Sequence, residues 1–174
     1  DPAALPPDID LVRPYMVVLG TIEPRKNHAL LLDVWERLGN DAPRLFICGA
    51  RGWNNAEVFA RLDRGVPGVS EMPGLSDGAV AALLGGARAL LFPSLAEGYG
   101  LPPLEAQALG CRVICGDLAI CRELLGDAAV YCDPADRYQW EQAIRAHAAP
   151  PRLPPPRVLS PSWAAHVERA LEGL

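Results

Sequence analysis

The chain reads as an α/β protein with a doubly wound, parallel, six-stranded sheet. Two observations lead there. Short apolar runs alternate regularly with longer stretches of helical periodicity, and the runs are apolar at consecutive positions. Strands of that kind are buried on both faces, which demands helices above and below the sheet. The length of 174 residues suits one domain by the usual range of roughly 100–200.

The opening, DPAALPPDIDLVRP (residues 1–14), is rich in proline and acid and is expected to be a linker arriving from an upstream part. YMVVLG, from Tyr15, is the first strand. A helix follows from Asn27 to Leu38, where Leu30, Leu31, Val34, Trp35 and Leu38 recur at helical spacing. Asn27 is placed to cap its start and Gly39 to end it. RLFICG is the second strand and NNAEVFARLD a short helix; GVSEMPG is a weaker strand, DGAVAALLGGA a helix and RALLFPS a strand. LPPLEAQALG (helix), CRVICG (strand), AICRELLG (helix), AAVYCD (strand) and DRYQWEQAIRAHA (helix) complete the alternating body, residues 15–148. The proline-rich APPRLPPPRVLSP cannot continue a helix and is expected to cross over in extended form. It leads to a last helix, PSWAAHVERALEGL, so that 149–174 form a crossing segment and terminal helix.

Half of the residues are hydrophobic and about a fifth charged, enough for a real core. A formal charge of −5 argues against a nucleic-acid partner, whose phosphates call for a basic footprint. An anionic ligand must therefore be held by a few local groups. The five cysteines (Cys48, Cys111, Cys115, Cys121 and Cys132) have no metal-ligand rhythm, and Cys111 and Cys115 are one residue too far apart for a CxxC pair. Reduced thiols in a cytoplasmic setting fit best, with attachment to the inner face of the cytoplasmic membrane left open. No metal site is expected. The one DxD, Asp8-Ile-Asp10, is flanked by prolines and does not end a buried strand, as a metal-diphosphate site would require.

Ligands of open parallel sheets bind beyond the carboxyl ends of the strands. Two loops there carry chemistry. In Gly20-Thr-Ile-Glu-Pro-Arg25-Lys26-Asn27, two adjacent cations stand beside a helix start, which prefers negative charge. They suit phosphate oxygens, Arg as a flat fork and Lys as a mobile point charge; the other reading is a solvated pair bridging to Glu23 or Asp33. In Pro93-Ser94-Leu-Ala-Glu97-Gly98-Tyr99-Gly100-Leu101-Pro102-Pro103-Leu104-Glu105, glycines lead into a proline-marked helix start, an anion-binding arrangement or simply a turn that needs glycine. Glu105 falls in the apolar stripe of Leu101, Leu104, Ala108 and Leu109. It is therefore expected to face inward, either toward ribose hydroxyls or toward the amides of its own loop. Glu97 is placed for sugar hydroxyls or for solvent.

Glu97-GYGLPPL-Glu105, after a strand ending in Pro93-Ser94, resembles the E-x₇-E motif of retaining glycosyltransferases of family 4, and GTIEPRKNHALLLDVW resembles that family's donor-phosphate loop. The resemblance runs from about Asp10 to the end and takes in GARG after the second strand, MPGLSDGAVAALLGGARALLFPS and the DPAD helix start near Asp133. It implies a Rossmann-like, carboxyl-terminal donor lobe of a two-lobed GT-B enzyme. The acceptor site, and an active-site histidine that none of His28, His147 and His166 matches, would lie in another lobe. By the resemblance, Arg25 and Lys26 bind and stabilise the departing diphosphate, with Gly20 and Gly49 beside them. Ser94 and the amides of Gly98, Tyr99, Gly100 and Leu101 hold phosphate or sugar. Glu97 binds sugar hydroxyls, Glu105 the ribose, and the backbone around Pro73 and Leu75 the base. Thr21 stands where many relatives have arginine. The implied activity is transfer of a hexose, such as mannose from GDP-mannose, or of another GDP- or UDP-linked sugar, to a glycan or lipid-linked acceptor in polysaccharide assembly. The nucleotide sugar is the substrate, and no separate cofactor is expected. This chain alone is expected to bind donor weakly and transfer nothing.

Two other classes stay open on sequence. A dinucleotide oxidoreductase would need GxGxxG after the first strand and an acid closing the second; here there is one glycine, and the second strand ends in Cys48-Gly49. A non-catalytic nucleotide-sugar module, or a sugar-nucleotide epimerase lobe, would share the same site residues.

Overall fold

A computed structural model describes residues 5–6, 9–149 and 171. The crossing segment and terminal helix expected over 149–174 lie outside the described residues apart from Ala149 and Leu171, and so does Asp8 of the DxD.

Six parallel strands form one sheet: β1 (Tyr15–Leu19), β2 (Arg44–Cys48), β3 (Val69–Glu71), β4 (Ala89–Phe92), β5 (Val113–Gly116) and β6 (Val130–Cys132). Their spatial order is β3-β2-β1-β4-β5-β6. The helices are α1 (His28–Leu38), α2 (Ala56–Arg64), α3 (Asp77–Gly86), α4 (Leu101–Ala108), α5 (Ala119–Leu125) and α6 (Arg137–Ala148). Register is in step along β1 and β2, from Tyr15 opposite Arg44 to Leu19 opposite Cys48. Beyond the sheet proper the pairing continues: the Ile22 amide donates to the Ala50 carbonyl at 2.9 Å, and Gly52 donates back to Ile22 at 3.2 Å.

Period-2 alternation sorts the strand side chains onto two faces. Met16, Val18, Leu45, Ile47, Leu91 and Ile114 pack with Leu31, Val34 and Trp35 of α1, Val58 of α2, and Trp140 and Ile144 of α6. Val17, Leu19, Phe46, Leu90, Phe92 and Val113 pack with Leu83 and Leu84 of α3, Ala106 of α4, and Cys121 and Leu125 of α5. Full burial of each large aliphatic residue stabilises the fold by roughly 1.5–3 kcal/mol, which is why both faces must be covered. Each buried indole also satisfies its N–H: Trp35 Nε1 donates to the Pro43 carbonyl at 2.8 Å and Trp140 Nε1 to the Asp133 carbonyl at 3.0 Å.

The 5–14 stretch is not wholly detached. Leu5 and Ile9 pack on the second face, and Asp10 binds the Arg44 guanidinium at 3.1 Å and the Val12 amide at 3.1 Å. These bonds hold the Asp10 carboxyl below its usual range, the Arg44 hydrogen bond being the largest cause. All five cysteines are buried thiols outside any disulfide. Among the described residues no helix is long and apolar enough to cross a membrane.

Candidate functional site

The connections from β1 and β4 depart in opposite directions along the sheet, so their exits open a crevice between them. The loop from β1 passes through Gly20 into a 3₁₀ turn, Pro24–Lys26, and then α1. Gly20 has φ of +120°, and a Cβ on Gly49 would lie 2.0 Å from the Gly20 carbonyl oxygen. Only glycine at both positions lets the β1 and β2 exits lie this close.

Asn27 takes a left-handed conformation (φ 54°), and its side chain makes no cap bond to α1. This corrects the capping role expected from sequence. Its Nδ2 donates instead to the carbonyls of Pro93 (3.2 Å) and Pro134 (3.0 Å), tying α1 to the exits of β4 and β6. The Leu95 amide donates to the Arg25 carbonyl at 2.9 Å, so the β1 and β4 loops are joined by main chain as well.

These ties bring Arg25, Lys26 and Glu97 together. One Arg25 terminal nitrogen donates to Glu97 Oε2 at 2.8 Å and to the Ala96 carbonyl at 2.9 Å; the other donates to Glu23 Oε1 at 2.7 Å. Lys26 Nζ donates to Glu97 Oε1 at 2.7 Å and lies 4.9 Å from the centre of the Phe92 ring. The exposures of these side chains decide their roles: Arg25 is 44% exposed, Lys26 11% and Glu97 7%. Glu97 is thus no solvated carboxylate, and Arg25, with both terminal nitrogens engaged, stays the most exposed of the three. Burial pushes the Glu97 carboxyl up, but hydrogen bonds from Lys26 and its neighbours outweigh this and hold it below the usual glutamate range. The reciprocal effect of Glu97 raises Arg25. Of the two alternative partners considered for the cations, Glu23 binds Arg25, whereas Asp33 pairs with Arg61 and Arg137.

Ser94 is fully buried at the β4 exit, and its hydroxyl lies beside Glu97 and helps to hold that carboxyl low. Gly98 and Tyr99 are exposed, and Gly100 (φ 81°) leads into α4 as a cap without a side-chain bond. Leu101 opens the helix. The first-turn amides of a helix have no intrahelical acceptor, and Pro102 and Pro103 carry none, so the donors here are few. Pro73 is exposed and Leu75 half-buried in the β3–α3 loop, on the far side of β2 from this cluster.

Glu105 corrects a second expectation. It is exposed, as are Leu101, Ala108 and Leu109 of the stripe assigned to the interior, with Leu104 only half-buried. The buried side of α4 is Pro103, Ala106 and Gln107 instead, and Gln107 Nε2 donates to the Ala128 carbonyl at 3.1 Å. Apolar residues ring this short helix, so local periodicity did not fix its phase. Sequence reasoning also passed over His28. Its ring is 1% exposed with neither nitrogen partnered among the described residues, and burial, aided by the Lys26 charge, depresses its pKa to about 4.

Known proteins carry the same arrangement of sequence. A family model described as glycosyl transferases group 1 matches residues 7–149. The O-antigen chain mannosyltransferase B of Escherichia coli is 33% identical over 138 residues, covering 76% of this chain and 35% of that protein. The serotype-specific mannosyltransferase WbdA of the same organism is 36% identical over 124 residues, 68% of this chain and 15% of that one. The chain therefore spans about a third or less of these relatives' length. Among solved structures, Anabaena Alr3699/HepE in complex with UDP superposes with a TM-score of 0.67 at 15% identity, over 77% of this chain and 38% of that one.

Proposed function

This chain belongs to the glycosyl transferases group 1 family, and from that premise we propose that it is the carboxyl-terminal donor-binding lobe of a retaining family 4 hexosyltransferase, acting in the cytoplasm. The observation that carries the reading is the meeting of Arg25, Lys26 and Glu97 beside the α4 start, at the exits of two strands whose connections diverge. Two cations beside a helix start favour a diphosphate. Arg25 and Lys26 hold its oxygens, with Gly20, Gly49, Ser94 and the Gly98–Leu101 amides closing around it. Exposed Glu105 reaches the ribose from α4, and the Pro73–Leu75 loop lies toward the base. The sugar is a hexose, with mannose from GDP-mannose favoured because the similar mannosyltransferases are named for that sugar.

In the reaction the bond between the anomeric carbon and the phosphate oxygen breaks, and a bond from that carbon to an acceptor hydroxyl oxygen forms on the same face. The hydroxyl proton passes to the departing phosphate. Arg25 and Lys26 stabilise the charge that develops on the diphosphate, a contribution that grows toward the transition state. The acceptor, a glycan or lipid-linked sugar, comes from outside this lobe. Calorimetric titration with GDP, UDP, ADP and their hexose conjugates tests the reading. At least one pair binds, and Arg25→Ala with Lys26→Ala removes that binding; a chain that takes none of them is not a donor lobe.

A further inference from the structure

Resting on that diphosphate reading, we propose that Glu97 is the internal anion of the cation pair, and that it sets the site's preference for a nucleotide sugar over the bare nucleoside diphosphate. Each Glu97 oxygen takes one of the two cations proposed for the phosphates, Oε2 from Arg25 and Oε1 from Lys26, at 2.8 and 2.7 Å. Glu23 already takes the other Arg25 nitrogen at 2.7 Å. Two cations thus face two carboxylates, and the local charge is balanced before any phosphate arrives.

A diphosphate that reaches Arg25 and Lys26 adds negative charge to this balanced group. If Glu97 stays, it repels the phosphate across a few ångströms in a partly desolvated setting. If Glu97 leaves, a nearly buried carboxylate loses its donors, and that desolvation must be made good elsewhere. A hexose on the diphosphate brings hydroxyl donors to the loop that carries Glu97. A bare diphosphate brings none. The exchange of Glu97 from cations to hydroxyls is complete only with a glycosylated ligand, and it reverses once the hexose has gone. Glu97 then returns to Arg25 and Lys26 and assists the spent diphosphate out. The residue therefore discriminates donor from product, in addition to contacting sugar.

Calorimetry with GDP, GDP-mannose and inorganic pyrophosphate tests this, with UDP and UDP-glucose run in parallel. The proteins are the full chain, Glu97→Gln, Glu97→Asp and Arg25→Ala. Glu97→Gln neutralises the anion and binds GDP and pyrophosphate about tenfold more tightly, about 1.4 kcal/mol. GDP-mannose gains nothing, so the preference for the sugar nucleotide falls at least tenfold. Glu97→Asp keeps the charge on a shorter arm that cannot span both cations, and its GDP affinity falls between the two. That variant carries the test if Glu97→Gln fails to fold. A Glu97→Gln chain that binds GDP no better than wild type, while Arg25→Ala weakens GDP, overturns the proposal and leaves the diphosphate site standing. Absence of binding by every ligand to every chain overturns both.

Discussion

The buried imidazole of His28 makes the fold's stability depend on pH in a way that can be calculated. An ordinary histidine titrates near 6.5, and His28 in the folded chain near 4. The unfolded chain therefore takes up a proton as pH falls through 6.5, whereas the folded chain refuses it until about 4. Stability is full above 6.5, declines between 6.5 and about 4, and levels off below. The whole difference is worth about 3 kcal/mol, and about 2 kcal/mol of it is already lost at pH 5. Urea unfolding at pH 7 and pH 5 measures it. The carboxylates with lowered values, such as Glu97 and Glu141, act mainly below that interval. His28→Leu removes the titrating ring together with two unpartnered nitrogens, so at pH 7 it is neutral or mildly stabilising. Its loss between pH 7 and pH 5 shrinks by about 2 kcal/mol relative to wild type. If wild type and His28→Leu lose equal stability over that interval, the imidazole is solvated or paired in solution and the reasoning fails.

Three further outcomes follow from the packing. Asn27→Asp keeps a capping acceptor but replaces the Nδ2 donor with an oxygen that repels the Pro93 and Pro134 carbonyls. It costs on the order of 1–3 kcal/mol in chemical denaturation, where an ordinary cap would tolerate it. Gly49→Ala drives a methyl group into the Gly20 carbonyl and separates the β1 and β2 exits. Differential scanning calorimetry reads a loss of about 1–3 kcal/mol, and nucleotide affinity falls with it. Trp35→Ala empties a fully buried site on the first face and leaves the Pro43 carbonyl without its donor; urea unfolding at pH 7 shows a loss of about 3–5 kcal/mol.

Several layers of this protein are legible from residue order alone. Short consecutive apolar runs rich in β-branched and aromatic residues, such as YMVVL and RLFIC, point to strands buried on both faces, and the helical repeat of Leu31, Val34, Trp35 and Leu38 specifies one side of α1. The adjacency of Arg25 and Lys26 is local, and so is the glycine-proline entry to α4. Their meeting is not. Arg25 and Glu97 are 72 positions apart, and only the β1–β4 pairing and the Asn27 and Leu95 ties bring them to 2.8 Å.

The same physics explains the two corrected expectations. Asn27 has the right residue type for a cap, but a left-handed backbone turns its amide toward two carbonyls from distant loops. Glu105 lies on an eight-residue helix with apolar side chains on every side, so no single phase dominates its sequence. Pro103, Ala106 and Gln107 were chosen for the interior by the shape of the sheet they meet, and that choice turned Glu105 outward. Residue order thus determined the elements, their alternation and the local charges. Tertiary packing decided which charges face each other and which way the α4 carboxylate points, because burial and ion pairing depend on neighbours that are remote in the chain.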